Sequence, residues 1–562
     1  NTINGTAFAE ISFLKDFKFT TTNSVYVDES RLTTVTNPYY GSYASSNGIL
    51  GKTHSRRYST NYQQLLNYVK AIGSHNITAM IGHEYYRTQY YYTFGSKSNM
   101  FDPSNHELAG AVTDGSSNSY TTDYNTEGYF ARAQYNFDEK YYASASYRRD
   151  ASSRFHPDNR WGNFWSAGAA WLISKENFFQ NNDALKFIDM LKIKASYGSQ
   201  GNDNIADIYE TPRYTNTYDI VNSSGHPASV PKVLGNKDIT WETNGNFNAG
   251  FDFTFWGGKL SGSAEYFSRK TTDMLYFKPV AASMGYSRFP ENVGSMVNRG
   301  VEIDLNSNII ETKDFSWSVN LNLTHFKNKV LELAPELNGQ MIDAGRIYRE
   351  DESMFQLYLP KYAGVNPETG ESQWALLKPD AEGNTVTTSY STATENRFAT
   401  GDILPKVYGG FGTSFTAYGF DLSLSFAYQL GGRILDYTYQ EMMSPAATGS
   451  ALHKDMLNVW TSENKNTDVP RMNVNDKYTN RLSDRFLTSS DYLSLQNITF
   501  GYTLPKNLTR KLQIEGVRLY FVADNVALLT ARKGLDPRQG YVASDNVYSP
   551  IRTISGGISL NF

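Results

Sequence analysis

The sequence has no cysteine among its 562 residues. This absence excludes disulfide bridges, thiolate metal sites and cysteine nucleophiles. It also has no run of about 18 apolar residues, so no helix of this chain can span a bilayer on its own. The net charge is only −4 and basic residues do not cluster, which argues against a nucleic-acid partner.

Motifs of catalysis and of metal binding are scarce as well. The eight histidines are scattered without a pair at metal-ligand spacing, and no nucleophile elbow is present. The densest acidic group, Glu350-Asp351-Glu352, lies in a long predicted loop. We interpret it as a solvated loop tip, with calcium binding as the alternative. We therefore expect no enzyme, no cofactor and no resident metal.

Aromatic residues, by contrast, are abundant: the chain has 41 Tyr and 32 Phe, yet its mean hydropathy is −0.50. A high aromatic content together with a negative mean hydropathy is unusual for a soluble protein with a packed core, and it indicates that much of the tyrosine occupies amphipathic positions. Apolar and polar residues alternate with period two in 246–255, 315–324 and 420–430, which predicts strands with one apolar face. Strands of about ten residues have the length that a tilted strand needs to cross hydrocarbon.

The same pattern predicts about 17 strands along the chain. They lie near 5–14, 17–30, 57–72, 77–93, 127–137, 140–149, 161–173, 188–199, 241–255, 259–271, 297–310, 314–326, 405–417, 419–431, 490–504, 516–526 and 551–562. Their connections alternate between tight turns and long segments rich in Asn, Ser, Gly and Tyr. That asymmetry predicts an all-β fold, an antiparallel transmembrane β-barrel with short periplasmic turns and long outer loops. The alternative is a large secreted β-sandwich or propeller, which needs short links at both ends.

The two ends of the chain carry further expectations. Bacterial single-chain barrels have even strand numbers, so an odd count indicates that more strands precede Asn1. The first residues show no secretory signal, and the piece as a whole is expected to start inside a longer chain. The last strand ends on Phe562, a terminal aromatic that resembles the assembly signal read by the outer-membrane insertion machinery.

Seven segments, taken in order, resemble the SusC/RagA family of TonB-dependent transporters of Bacteroidota. They are Tyr147-Arg148-Arg149-Asp150-Ala151-Ser152-Ser153-Arg154-Phe155 with Asn159-Arg160-Trp161-Gly162; Leu191-Lys192-Ile193-Lys194-Ala195-Ser196-Tyr197-Gly198 with Gly201-Asn202; Trp241-Glu242-Thr243; Lys270-Thr271-Thr272-Asp273-Met274-Leu275; Asn292-Val293-Gly294-Ser295-Met296 with Asn298-Arg299-Gly300-Val301-Glu302; Pro405-Lys406-Val407-Tyr408-Gly409-Gly410-Phe411; and Tyr492-Leu493-Ser494-Leu495-Gln496-Asn497. Each motif alone is weak, but their order and their spread over nearly the whole chain make the resemblance specific.

The resemblance implies a barrel of about 22 strands, closed by an N-terminal plug and preceded by a TonB-interacting segment. None of those N-terminal parts matches this sequence, so residues 1–562 are expected to be the barrel portion alone. The implied function is active import of oligomeric nutrients through the outer membrane, with a SusD-like surface lipoprotein as lid and TonB as energy source. Oligosaccharides are the first expected substrate and oligopeptides the second. A passive porin or structural outer-membrane protein is the competing class.

Candidate substrate contacts are few. Tyr90, Tyr91 and Tyr92 could stack on sugar rings, but tyrosine girdles at the membrane interface need the same residue, and we favour the girdle. Trp374 ends a stretch from Ala363 that also resembles the family, and it is a further candidate for contacting substrate. The loops 327–404 and 432–489 are too long for strand connection alone, so we expect them to contact the lid.

Overall fold

A computed structural model of the chain describes residues 1–205, 212–286, 288–343, 345–443, 451–473, 481–510, 514–539, 542–543 and 550–562. Within these ranges, 17 strands belong to one antiparallel sheet, which confirms the predicted strand content. No helix in the described part of the chain is long and apolar enough to cross a membrane.

The chain packs as two compact units. Unit 1 consists of Asn1–Trp171, Ala195–Phe247 and Thr271–Val293, and unit 2 of Leu172–Lys194, Asn248–Lys270 and Gly294–Phe562.

Unit 1 opens with seven strands, each hydrogen-bonded antiparallel to the next. They are β1 (Thr2–Phe13), β2 (Phe17–Thr36), β3 (Ile49–Ile72), β4 (His75–Met100), β5 (Ala111–Phe137), β6 (Tyr141–Ser152) and β7 (Trp161–Leu172). The segment that follows belongs partly to unit 1 and partly to unit 2. It contains α1 (Asn177–Gln180), β8 (Ile188–Asn202), β9 (Thr217–Ser223), β10 (His226–Val233), β11 (Glu242–Phe255), β12 (Leu260–Thr272), β13 (Leu275–Pro279) and β14 (Arg288–Asn292). Two of the pairs, β9 with β10 and β13 with β14, are separate hairpins outside the large sheet.

The rest of unit 2 alternates long sheet strands with short loop elements. In chain order these are β15 (Ser295–Glu311), β16 (Phe315–Glu332), β17 (Gln340–Asp343), β18 (Arg346–Arg349), β19 (Gln356–Pro360), β20 (Tyr362–Val365), β21 (Ser372–Ala375), β22 (Val386–Thr387), α2 (Tyr390–Glu395), β23 (Arg397–Asp402), β24 (Val407–Ala417), β25 (Phe420–Leu430), β26 (Arg433–Asp436), α3 (Tyr437–Met442), β27 (Leu487–Ser489), β28 (Tyr492–Thr503), α4 (Lys506–Thr509), β29 (Gly516–Thr530), β30 (Val542–Ala543) and β31 (Thr553–Asn561). The sheet strands pair in the order β15, β16, β24, β25, β28, β29 and β31.

Tight turns close one end of the strand pairs, as the sequence predicts. Asp138 and Glu139 have φ of 55° and 51°, and Tyr418 and Gly419 have φ of 50° and 89°. Two successive residues with positive φ form the kind of two-residue turn whose twist matches that of the flanking strands. These turns therefore fix the register of the pairs that they join.

The register places the apolar half of the alternation on one face. Leu321 pairs with Phe411, which pairs with Phe426, and Val319 pairs with Thr413, which pairs with Leu424. The apolar face predicted for β16 and β25 is confirmed by these registers.

Strands β3, β4 and β5 are much longer than predicted. They have 24, 26 and 27 residues and extend into segments expected to be loop. Beyond the apolar band both faces carry polar side chains, so the alternation fades while the backbone ladder continues. Period two marks only the part of a strand whose faces meet different surroundings.

Candidate functional site

The long connections of unit 2 fold around cores of their own. One core contains Leu357, Leu359, Ile403 and Leu435, and a second contains Met443, Met456, Val469 and Phe486. We call the residues 333–404 and 432–489 that surround these cores the unit 2 loop cluster. Because these side chains exclude water among themselves, the described parts of the two long loops form a packed body.

Hydrogen bonds join the two loops to each other. The backbone N–H of Tyr362 donates to the Asp484 carboxylate at 2.7 Å, and the Tyr362 hydroxyl donates to the carbonyl of Asp468 at 2.8 Å. Burial raises the pKa of Tyr362 to about 12 and also raises the pKa of Asp484. Arg485 lies 4.9 Å above the Tyr362 ring. Tyr362 is therefore a neutral, enclosed contact between the loops.

Trp374 lies inside this cluster. Its side chain is 1% exposed, and its ring meets the edge of Tyr390 at 5.3 Å. A ring without an exposed face cannot stack on a sugar unless the cluster rearranges. In this structure Trp374 is a packing residue, and it does not support the expected contact with substrate.

A partly buried ion pair ties the same cluster to the segment that follows β29. Arg532 donates to Asp436 at 3.0 Å, and its guanidinium lies 3.8 Å above the ring of Tyr439. The Tyr439 hydroxyl donates to Asp455 at 2.9 Å, while burial raises the pKa of Tyr439 to about 12. None of these contacts is visible in the sequence, because the partners are far apart along the chain.

In unit 1, a second cluster forms where four of the family-like motifs meet. Its core contains Phe155, Ile205 and Ile239, with Trp241 and Leu275 packed against them. We call these residues and the segments that carry them the unit 1 loop cluster.

The polar contacts of the unit 1 loop cluster centre on Asp203. This carboxylate accepts from Arg154 at 2.9 Å, Ser152 at 2.6 Å and Tyr124 at 2.8 Å. Arg154 also stacks 4.2 Å above the Tyr124 ring. These contacts fix the start of the long segment after β8.

Other motif residues close the same cluster. The Trp241 indole N–H donates to the carbonyl of Arg160 at 2.8 Å, and Asn292 donates to the carbonyls of Thr240 and Asp273, both at 2.9 Å. The family-like motifs thus include residues that hold the outer segments in place.

The polar face of the sheet carries paired charges. Arg148 binds Asp150 at 2.7 Å and Glu84 at 3.2 Å in unit 1. In unit 2, Lys194 binds Asp252 at 2.9 Å and Glu265 at 3.3 Å. The sequence shows these residues as the polar half of the alternation but does not show that they pair.

Tyr90, Tyr91 and Tyr92 do not share one surface. Tyr92 stacks on Tyr120 at 5.0 Å, with Tyr90 on the same face, whereas Tyr91 points to the other face near His54. The strand continues from Tyr92 to Met100, so these tyrosines do not mark its outer end. That position removes the main argument for a membrane girdle here.

A more exposed aromatic group lies at the outer ends of β2 to β5. Tyr39, Tyr40, Tyr43 and Phe101 are 75%, 73%, 50% and 91% exposed. We call these four residues the aromatic tip. Sequence reasoning missed it, although Asn37-Pro38-Tyr39-Tyr40 shows two aromatics directly after a turn signal.

The turns that carry the aromatic tip are held together at their base. The Asn47 amide donates to the Met100 carbonyl at 2.9 Å, and Leu50, Met100 and Ala111 are buried. The tip therefore presents its rings from a defined base.

The remaining predicted site residues occupy separate places. Glu350 accepts from the backbone of Leu333, Asp351 pairs with Lys329, and Glu352 pairs with Arg349. No group of three metal-ligating side chains occurs in the part of the chain that the structure describes. Phe562 follows β31 and is 83% exposed, and its role in assembly stays a prediction.

Comparison with known proteins gives a consistent set of relatives. The family described as TonB dependent receptor-like, beta-barrel matches residues 4–364. TonB-dependent receptor P3 of Formosa agariphila is 31% identical over 552 residues, covering 92% of this chain and 54% of that receptor. TonB-dependent receptor SusC of Bacteroides thetaiotaomicron is 27% identical over 575 residues, covering 98% of this chain and 54% of SusC.

A solved structure of the RagAB peptide transporter superimposes with a TM-score of 0.86 at 26% identity, covering 100% of this chain and 62% of that chain. The chain thus spans about half the length of the receptors it matches. Its relatives and its antiparallel sheet agree with the resemblance seen in the sequence. The chain belongs to the TonB-dependent receptor-like β-barrel family, in its SusC/RagA branch, and is a protein of the bacterial outer membrane.

Proposed function

We propose that this chain forms the barrel portion of an active importer of oligomeric nutrients, with oligosaccharides as the leading substrate. The observation that carries the proposal is the folding of the long outer connections around their own cores. Strand connection alone needs only a few residues, so loops of this length that are also packed are expected to carry function.

The aromatic tip supports a sugar ligand. Residues 37–48 carry no charged side chain and are rich in Tyr, Ser and Asn. Aromatic faces pack on the apolar faces of sugar rings, while amide and hydroxyl groups bond to sugar hydroxyls. The turn that carries three of the four tip residues is thus neutral, which suits an uncharged oligosaccharide better than an ion.

The distance of the aromatic tip from the tight turns argues against a membrane girdle. Met100 lies 25 residues beyond His75, where β4 begins. At about 3.3 Å per residue the strand is far longer than the apolar band, about 25 Å tall, of an outer-membrane barrel. Exposed rings at that distance from the turns are free to meet a ligand from the medium.

The partners in this proposal are a SusD-like lipoprotein lid and TonB. The unit 2 loop cluster carries exposed apolar side chains, with Leu457 90%, Leu377 52% and Met472 52% exposed. These apolar side chains are the part of the packed body that a partner protein would shield from water. TonB would act through a plug region, and none of these 562 residues resembles one.

The energy requirement has a direct test. Cells producing the complete protein should take up the oligosaccharide only when TonB is present, because a wide lumen must be plugged and the plug must be moved. Undiminished uptake without TonB would support the passive porin and contradict the importer.

The lid has a test with a matched control. Leu457→Asp should weaken copurification of the lipoprotein encoded beside the gene. Leu508→Asp introduces the same charge at a side chain that is 54% exposed, just beyond the opposite end of β28. Equal retention in both variants would exclude the unit 2 loop cluster as the lid contact.

An oligopeptide is the second candidate substrate, favoured by the likeness to the RagAB peptide transporter. Tyr39→Ala and Tyr40→Ala should weaken oligosaccharide binding to the purified complex severalfold. Tyr418→Ala, which removes an 80% exposed ring at a tight turn, is the control. Binding of peptides but not sugars, unaffected by the two tip variants, would favour the peptide importer.

A further inference from the structure

A recess lies on the apolar face of unit 1, outside every site described above. Its volume is about 580 Å³, within the range of about 300–1,000 Å³ that small ligands occupy. It is lined by Phe19, Gln64, Leu66, Ile81, Gly82, His83, Tyr129, Phe130, Ala131 and Tyr147. All of these residues belong to β2 to β6.

The strand register shows how the recess forms. Phe19 pairs with Leu66, Leu66 with Ile81, Ile81 with Ala131, and Ala131 with Tyr147, so these side chains form one row across five strands. Ala131 has a small side chain, whereas the other four residues of the row have large ones. The missing bulk at this point leaves a depression between projecting neighbours.

The apolar face of the sheet strands in unit 2 is filled differently. There Leu321, Phe411 and Phe426 form the corresponding kind of row, and the two phenylalanine rings stack at 4.6 Å. A lipid-facing surface can thus be closed by bulky side chains, and at Ala131 it is not.

The next row of unit 1 is polar. Gln64 pairs with His83, and His83 pairs with Tyr129. His83 contacts the Gln64 side chain at 2.9 Å and Glu127 at 3.3 Å, while the Tyr129 hydroxyl donates to Glu127 at 2.8 Å. The recess therefore sits where apolar side chains give way to hydrogen-bonding ones.

This change coincides with the membrane boundary. His83 lies eight residues from His75, at the start of β4. That is about 26 Å along the strand, and strand tilt reduces the height to about 20 Å, near the edge of an apolar band about 25 Å tall. Short turns face the periplasm, so this edge belongs to the outer leaflet.

A positively charged side chain, that of Arg149, lies at the same height as His83 and Tyr129. Arg149 pairs across the strands with Tyr129 and lies 5.2 Å above the Trp161 ring. It is exposed, and no carboxylate partner is found for it among the described residues. The nearby Glu127 is engaged by His83 and Tyr129, so Arg149 is the charge available to a head group.

We propose that this recess is a binding site for an anionic lipid of the outer leaflet. One acyl chain fills the space over Ala131, between Phe19, Leu66 and Tyr147. The phosphate of the head group meets Arg149 at the boundary, where Arg is well suited to bind phosphate oxygens. The site faces the membrane and does not depend on the proposed import function.

The acyl-chain part of the proposal is tested by filling the recess. Purified complete protein in mild detergent is titrated with dipalmitoyl phosphatidylglycerol, whose phosphate and acyl chains stand in for those of an outer-leaflet lipid, and bound lipid is counted by native mass spectrometry. The wild type should retain one lipid per chain, and Ala131→Phe should lower the retained fraction at least fivefold. Ala133→Phe is the matched control, because Ala133 is exposed on the same strand face but does not line the recess. Unchanged retention in Ala131→Phe, or equal loss in both variants, overturns the site.

The head-group part has an independent test that alters no apolar contact. Arg149→Gln should bring binding of the phosphatidylglycerol down to the level of dipalmitoyl phosphatidylcholine and leave the phosphatidylcholine level unchanged. The unheated gel mobility of each variant verifies that the barrel is folded. If Ala131→Phe does not fold, Ala131→Met replaces it. An unchanged preference for phosphatidylglycerol in Arg149→Gln overturns the assignment of Arg149.

Discussion

The Asp203 carboxylate is the best point at which to test whether the unit 1 loop cluster is held by buried charge. Arg154 and Asp203 have side chains only 10% and 12% exposed, and Ser152 and Tyr124 also donate to the carboxylate. Asp203→Asn removes the charge with almost no change of volume. It leaves the Arg154 guanidinium buried without its counter-ion.

The size of the effect follows from that burial. Removing one partner of a buried ion pair costs about 3–5 kcal/mol, and the remaining amide keeps part of the hydrogen bonding, so we expect about 3 kcal/mol. At about 1.4 kcal/mol per factor of ten, local opening becomes more frequent by about a hundredfold. The loss should appear locally, because segments of a protein can open without global unfolding.

Hydrogen exchange measures this opening directly. The backbone N–H of Arg213 donates to the Arg154 carbonyl, and that of Asn236 donates to the Arg213 carbonyl, so both amides should exchange faster in Asp203→Asn. Asp219→Asn is the matched control, since Asp219 pairs with Lys232 in a hairpin where the two side chains are 55% and 38% exposed. That exposed pair should contribute about 0–1 kcal/mol. Equal acceleration in both variants would refute the reasoning.

Three further outcomes are expected. Leu321→Arg should reduce the amount of folded, heat-modifiable barrel, because an arginine on the lipid face costs about 2–4 kcal/mol. Asn320→Arg, on the polar face, should assemble normally. Equal assembly of the two variants would contradict the assignment of Leu321 to the lipid face. The neutral phenol of Tyr362, with its pKa raised to about 12, stabilises the unit 2 loop cluster fully below pH about 10, the ordinary tyrosine value, and loses that contribution as the pH rises toward 12. Tyr362→Phe should therefore shift alkaline opening, followed by proteolysis, to higher pH, and an unshifted profile would contradict this. Trp374→Ala should destabilise the cluster by about 3–5 kcal/mol in the same assay, and a ligand-binding loss without destabilisation would show that Trp374 contacts substrate after all.

Period-two alternation locates the 17 strands of the large sheet almost by itself. In β16 and β25 each strand must satisfy a lipid face and a polar face, so Leu321 and Asn320 cannot exchange places. Tight turns at Asp138-Glu139 and Tyr418-Gly419 are equally local, because they depend only on the φ angles of two residues. These constraints act between near neighbours in the chain, and the sequence therefore shows them.

Other features follow from pairing over long sequence distances. The length of β4 beyond its apolar band depends on ladder hydrogen bonds from β3 and β5 and leaves no pattern in its side chains. The burial of Trp374 depends on Tyr390 and on the cores around it, so a tryptophan near a turn signal could equally have been an exposed ligand contact.

By itself the sequence determined the all-β fold, the facing of its strands and its family, since each rests on local alternation or on motifs in fixed order. Only the tertiary structure decided that Asp203 gathers Arg154, Ser152 and Tyr124, and that a missing side-chain volume at Ala131 opens a recess. The physical reason is that burial, ion pairing and cavities depend on which distant segments meet, and the identity of a single residue does not specify its neighbours in space.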